Sequence, residues 1–179
     1  MFESFDDWPE FEALRLDLMS SWQAMAEEAR STLPPGSGTK PWHEPEIYEG
    51  SWDVLGLFFG GRETERRSLA PTAKAVVGAW QPLVFNAGFS VLRPGAAIRP
   101  HVGYTSDVLR LHLGLVVPCG DPSRAGIRVG HETRGWSEGE CLLFDDTQEH
   151  SAWNRHELPR VVLLVDLLRP AGREKRLKP

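Results

Sequence analysis

IRPHVG (residues 98–103), LRLHLGL (109–115) and FDDTQEHSAWN (144–154), closed by RVVLLVDLLRP (160–170), decide how this chain is read. The first three blocks are short runs with a histidine set in or beside apolar residues. The last is a nearly continuous apolar strand opened by an arginine. From residue 83 onward, β-branched and aromatic runs alternate with Gly, Pro, Asn and Asp turns. The spacing predicts strands over 83–93, 97–102, 108–117, 126–131, 140–144, 149–154 and 160–168, after an earlier one over SWDVLGLFF (51–59). Many short strands at this spacing indicate a sandwich or barrel.

Upstream, Trp8, Phe11, Leu14, Leu18, Trp22, Met25 and Ala29 recur at steps of three and four. That is the stripe of an amphipathic helix, expected over about residues 8–30. Asp7 and Glu10 have the spacing of a capping box, and Pro9 suits a first turn. A Pro/Gly/Ser connector (31–45) follows, and LAPTAKAVVGAW (69–80) predicts a second helix. The expected architecture is mainly β with N-terminal helices, a jelly roll braced by helices. One domain should span 1–179, with helix and connector in 1–50, the β core in 51–170 and a basic tail in 171–179.

Composition bounds the function. A chain of 179 residues, 41% hydrophobic and 25% charged, is ordinary for one soluble domain with a sizeable core. The net charge of −5 and the lack of a basic stripe argue against nucleic acid, since basic residues gather only in GREKRLKP (172–179). No window reaches the roughly 18 apolar residues of a membrane span. The acidic MFESFDDWPE start carries no secretory pattern, so a cytoplasmic protein without a membrane partner is expected. Cys119 and Cys141 form no CxxC pair, which excludes a zinc knuckle and favours free thiols.

The chemistry lies in the β blocks. His101 follows Pro100 at the end of one apolar strand, and His150 begins another. A jelly roll can bring two such strands together, so the imidazoles could share a metal. Imidazole suits iron, copper, nickel and zinc alike, and two unrelated polar residues at strand ends are the plain alternative. Arg160 is more telling, because an arginine rarely enters a core without an anionic partner. Its planar fork suits a carboxylate, either that of an acidic small molecule beside the metal or that of Asp145, Asp146 or Asp166. Arg110 and His112, two apart on a strand, share one face, while Leu109, Leu111 and Leu113 take the other. Ser90 and Leu92 share a face in the same way. Cationic and donor groups beside a metal, within apolar walls, make a site for a small acid. His43, His131 and His156 fall in connector or turn segments and are expected at the surface. GWSEGE (135–140) reads as a turn, with Gly139 structural.

Taken in order, FSVLRPGAAIRPHVG, RLHLGLVVP, GE-x-LLFDD-x-x-EH-x-x-WN and R-VVLLVD-x-x-RP resemble the aspartyl/asparaginyl β-hydroxylase family over about residues 50–170. The first helix and the connector lie outside the resemblance. It implies a cupin-like double-stranded β-helix and an Fe(II)- and 2-oxoglutarate-dependent dioxygenase, which decarboxylates 2-oxoglutarate to succinate and hydroxylates a C–H bond. The family's iron-binding histidines fall on His101 and His150, and its 2-oxoglutarate arginine on Arg160. His112 and Ser90 fall on co-substrate contacts, Trp52 on an aromatic beside them, and Arg110 where a substrate carboxylate is met. Gly103 stands where most such oxygenases carry a ligating acid. Glycine cannot ligate, so water is expected to complete the sphere, with Asp107, Asp145 and Asp146 as possible substitutes. The implied substrate is an aspartyl or asparaginyl unit of a peptide or protein, hydroxylated at its β-carbon. A free amino acid or small natural-product intermediate is the alternative, and a non-catalytic cupin-like binding protein or sensor the further one.

Overall fold

The strand that opens on Arg160 lies at the centre of the larger of two antiparallel sheets. The computed structural model describes residues 1–170, so the basic tail lies outside the described residues. Its strands are β1 (Phe2–Glu3), β2 (Lys40–Pro41), β3 (Tyr48–Glu49), β4 (Trp52–Phe59), β5 (Arg62–Glu63), β6 (Val84–Leu92) and β7 (Ala97–His101). They continue with β8 (Val108–Val116), β9 (Ala125–Val129), β10 (Glu132–Arg134), β11 (Cys141–Phe144), β12 (His150–Asn154) and β13 (Arg160–Leu168). The larger sheet runs β1-β11-β8-β13-β6-β4-β2, with β5 on β4; the smaller runs β10-β9-β12-β7-β3. Two facing sheets of a jelly roll result, as the strand spacing predicts.

Period-two alternation sorts the larger sheet into two chemistries. On one face Leu109, Leu111, Leu113 and Leu115 of β8 and Val161, Leu163, Val165 and Leu167 of β13 are buried with Phe11, Leu14, Leu18, Met25 and Val77 of the helical layer. Burying each such side chain contributes roughly 1.5–3 kcal/mol, so this face carries much of the fold's stability. The opposite face carries Arg110, His112, Arg160 and Val162. There the apolar neighbours, Ile98, Ile127, Val129, Trp136, Phe144 and Ala152, form a separate cluster between the sheets.

The helical layer corrects the expected single helix. Two 3-10 turns, Phe5–Asp7 and Pro9–Phe11, precede α1 (Glu12–Ser20), and α2 (Trp22–Ser31) starts after a break at Ser21. Ser4 Oγ caps the first turn by accepting from Asp6 N–H, and Trp8, at the N-cap of the second, makes no side-chain cap. Trp8 instead stacks on Phe11, with ring centroids 5.6 Å apart, which ties Pro9 into a tight turn. The apolar stripe survives because burial, not helical continuity, selects it. The second helix, α3 (Pro71–Gly78), is shorter than its periodicity suggests. The free N–H groups of Thr72 and Ala73 at its start are capped by the Glu28 carboxylate of α2, at 2.6 and 3.0 Å. Strands β1, β2, β3, β5 and β10 escape sequence reading because two or three residues display no period.

Cys119 and Cys141 are unbridged. No helix among the described residues is long and apolar enough to cross a membrane. Gly139, at φ +77°, has the structural role expected of it, since a Cβ there would meet the Trp22 indole at 2.8–3.0 Å.

Candidate active site

His101 and His150 come together through strand pairing. They are Cα partners in the β7–β12 ladder, and their ring centroids lie 4.1 Å apart. Each Nδ1 sits against a backbone carbonyl, Arg99 O at 2.8 Å for His101 and Gln148 O at 2.9 Å for His150. A carbonyl only accepts, so each Nδ1 carries a proton, and in the neutral ring the lone pair is on Nε2. That is the orientation by which a protein readies a histidine to ligate a metal. Burial, and then the neighbouring His101 ring, push His150 down to about 3, so it stays neutral and able to ligate at physiological pH.

Arg160 has no carboxylate partner among the described residues. It is 1% exposed, its Nη1 donates to Ser90 O at 3.2 Å, and its Nε has no partner at all. Burial alone pulls its guanidinium down to about 9. Of the three internal acids considered for it, two are paired with Arg110 instead. Arg110 Nε and Nη2 donate to Asp166 at 2.8 and 3.2 Å, and Nη2 meets Asp146 Oδ2 at 3.1 Å. The β8–β13 register places Arg110 directly opposite Asp166. Burial opposes the Arg110 charge, but Asp166 and Asp146 outweigh it and raise the guanidinium above its ordinary value. The third acid, Asp145, pairs with Arg169 at 3.0 Å and accepts from Thr147 N–H and Oγ1, shaping the turn before His150.

A cavity joins these groups, lined by Trp52, Ser90, His101, Arg110, His112, His150 and Arg160 among apolar residues. The structure therefore brings all seven sequence-predicted site residues to one place. Trp52 Nε1–H donates to Ser90 Oγ at 3.0 Å, which leaves the Ser90 hydroxyl proton free to point elsewhere. His112 Nε2 is buried without a partner, and burial followed by the Arg160 charge holds this imidazole well below its ordinary pKa, hence neutral. The unpartnered donors Arg160 Nε and His112 Nε2 both belong to cavity-lining residues. Among the described residues no set of three or more His, Cys, Asp or Glu is arranged to hold a metal. The Asp146 carboxylate packs where a Cβ on Gly103 would lie, and Gly103 N–H donates to Asp146 O at 2.7 Å.

Three aromatics that sequence reading passed over support the site, Phe144 in the cavity lining and Trp136 and Trp42 packed against lining residues. Trp136, in the segment read as a turn, is 1% exposed and lies against both Arg160 and His112. Trp42, from the connector, stacks on Trp52 with centroids 4.5 Å apart. Phe144 meets the His112 ring edge-on at 5.1 Å. The tryptophans themselves were the available signal, because a large aromatic in a Gly-rich segment needs an apolar surface to cover. Of the histidines expected at the surface, His43 and His131 are exposed. His156 is half-buried, and its Nδ1 accepts from Leu158 N–H.

A family model described as aspartyl/asparaginyl beta-hydroxylase matches residues 19–170. The chain belongs to the aspartyl/asparaginyl β-hydroxylase family. The match begins within α1, so the connector that carries Trp42 lies inside the family region rather than before it. An ornithine lipid ester-linked acyl 2-hydroxylase of Rhizobium tropici is 41% identical over 115 residues, 64% of this chain and 40% of that protein. The aspartyl/asparaginyl beta-hydroxylase of Mus musculus is 31% identical over 159 residues, 86% of this chain and 21% of that protein. The chain thus spans less than half the length of either relative. Among solved structures, a Pseudomonas putida prolyl-4-hydroxylase superposes with TM-score 0.58 at 17% identity, covering 84% of this chain and 87% of that one. The non-heme alpha ketoglutarate dependent epimerase SnoN from nogalamycin biosynthesis gives 0.56 at 18%, covering 86% and 76%. These likenesses show the jelly-roll fold, and the family match shows the family.

Proposed function

We propose that this chain is an Fe(II)- and 2-oxoglutarate-dependent dioxygenase that hydroxylates an unactivated C–H bond. The observation that carries the reading is Arg160, a buried guanidinium without an acid, on the same cavity as two paired histidines whose Nδ1 atoms are held by backbone carbonyls. An unpaired buried cation is costly, and a site that holds one is suited to an incoming carboxylate. His101 and His150 would hold the iron through Nε2. Bound iron with 2-oxoglutarate and dioxygen would supply the oxidising chemistry, one oxygen atom going to the substrate and the other to succinate with loss of carbon dioxide. Arg160 would take the distal carboxylate of 2-oxoglutarate in its fork, with His112 Nε2–H and the Ser90 hydroxyl as further donors. Trp52 holds Ser90 in place, and the apolar walls exclude water. The fold neighbours named for 2-oxoglutarate chemistry and prolyl hydroxylation support the reading.

For the substrate we place an aspartyl or asparaginyl unit first. Arg110 spends Nε and Nη2 on Asp166 and Asp146, while Nη1 has no protein partner among the described residues and can donate to a substrate carbonyl or carboxylate. A second reading is favoured by the exposed Val102 and Tyr104, which follow His101 directly. Phe59 is exposed next to Gly60, whose N–H donates to Asn86, and Asn86 in turn donates to the Tyr104 hydroxyl. Such an apolar rim suits a substrate with a hydrocarbon arm, the chemistry named for the Rhizobium relative. The test is aerobic conversion of 2-oxoglutarate to succinate by the Fe(II)-loaded protein, with matched aspartyl-peptide and acylated amino-acid candidates. Turnover dependent on His101, His150 and Arg160 supports the reading. Absence of succinate with every candidate leaves the non-catalytic binding protein as the better account.

A further inference from the structure

Trp136 is the largest fully buried side chain among the described residues, yet it stands in an irregular segment between β10 and β11. Glycines let it reach the interior. A Cβ on Gly135 would meet Gly120 O at 2.6 Å, and one on Gly114 would overlap the Ser137 carbonyl. Gly139 N–H donates to Gly114 O at 2.9 Å, which fastens the segment to β8 two residues beyond His112. Packing alone would account for a buried indole surrounded by aliphatic side chains. This one touches two polar groups of the cavity through two different parts of its ring.

The Arg160 guanidinium carbon lies 4.5 Å from the indole centroid, within cation–π range. The indole Nε1–H donates to His112 Nδ1 at 3.4 Å. An indole nitrogen only donates, so His112 Nδ1 must accept and the imidazole proton must reside on Nε2. Nε2 is the buried atom that lacks a partner, as is Arg160 Nε. One side chain thus orients two donors that the protein itself leaves unsatisfied.

We propose that Trp136 is a positioning residue for the co-substrate: it fixes the Nε2–H tautomer of His112 and the plane of the Arg160 guanidinium, so that both present donors to one bound dicarboxylate. The inference rests on the 2-oxoglutarate reading above and adds to it the residue that organises the anion site. It also explains why His112 is not a third metal ligand, since the nitrogen left for the cavity carries a proton.

The test uses the full chain with Trp136→Phe, which keeps an aromatic face but removes the N–H, and Trp136→Leu, which removes both. Two readouts are taken: 2-oxoglutarate affinity of the anaerobic Fe(II) protein by calorimetry, and the His112 tautomer from imidazole nitrogen-15 shifts in metal-free protein. In Trp136→Phe, a modest loss of thermal stability from the smaller ring should accompany a mixed His112 tautomer and an affinity loss on the order of tenfold, the effect of one hydrogen bond. Trp136→Leu, if it folds, should lose roughly tenfold more through the missing ring face. In a His112→Ala background, Trp136→Phe should add no further loss, which a merely structural tryptophan would not satisfy. Wild-type affinity together with an unchanged tautomer in Trp136→Phe would overturn the proposal. Failure of the wild-type protein to bind 2-oxoglutarate would instead overturn the functional reading on which it rests.

Discussion

Replacing Arg160 by methionine should make the ligand-free protein more stable while blunting its response to 2-oxoglutarate. Arg160 is fully enclosed, and its guanidinium is lowered from its ordinary value to about 9 by burial alone. At about 1.36 kcal/mol per pH unit, that depression corresponds to roughly 5 kcal/mol against the charged form. Against it stand the Trp136 ring at 4.5 Å and one hydrogen bond to Ser90 O at 3.2 Å. Together these offset about 3–4 kcal/mol. Methionine keeps the length and the ring contact without the charge, so the variant should gain about 1–2 kcal/mol, or roughly half a molar in urea midpoint. Adding 2-oxoglutarate at about a hundred times the wild-type Kd should stabilise the wild type by about 2.7 kcal/mol and the variant by less than about 1 kcal/mol, closing or reversing the gap. The pH dependence has a definite sign. Below about pH 9 Arg160 is charged in both folded and unfolded chains, and the full penalty applies. As pH rises above that, the folded state loses the proton first, so wild-type stability gains relative to the variant and the gap narrows. Urea unfolding at several pH values, with and without the ligand, measures all of this. A ligand-free variant less stable than wild type by more than about 1 kcal/mol would refute the reasoning, as would equal stabilisation of both proteins by 2-oxoglutarate.

Three further outcomes follow. His101→Ala and His150→Ala should each lose stoichiometric Fe(II) in equilibrium dialysis, and retention of the metal by either would remove that residue from the ligand set. Gly103→Asp should destabilise the fold by about 1–3 kcal/mol, because its Cβ overlaps the Asp146 carboxylate and must drive it from Arg110. The same substitution in an Asp146→Ala background should cost measurably less, and equal penalties in the two backgrounds would show that the overlap is not the cause. Arg110→Ala should lower stability by about 3–5 kcal/mol by stranding Asp166 and Asp146, yet spare 2-oxoglutarate affinity in calorimetry at low temperature. A large loss of co-substrate affinity would move Arg110 into the co-substrate pocket.

Much of this molecule is legible in its sequence because one strand face carries one kind of chemistry. Leucines at 109, 111, 113 and 115 leave Arg110 and His112 no choice but the opposite face, and β13 repeats the arrangement from Arg160. The meeting of His101 with His150 was legible only through the order of the motif blocks. Its physical cause is a ladder between β7 and β12, and ladder register is not written in local periodicity. The pairing of Arg110 with Asp166 has the same origin: both residues are visible, but their opposition depends on the β8–β13 register. Trp136 and Trp42 went unread because irregular segments have no period to expose an inward side chain. The break at Ser21 was hidden for the converse reason, since a stripe of buried residues can continue across two helices.

The central claim is that two histidines and one buried arginine serve a single iron and 2-oxoglutarate site. Anaerobic titration of the Fe(II)-loaded protein with 2-oxoglutarate, followed by visible charge-transfer absorption, tests it most directly. The account predicts a saturable band at one equivalent, missing in His101→Ala and His150→Ala, and reached in Arg160→Met only at concentrations at least about thirtyfold higher, the loss of a buried charge pair. A wild-type protein that binds Fe(II) but develops no band at any 2-oxoglutarate concentration would contradict it.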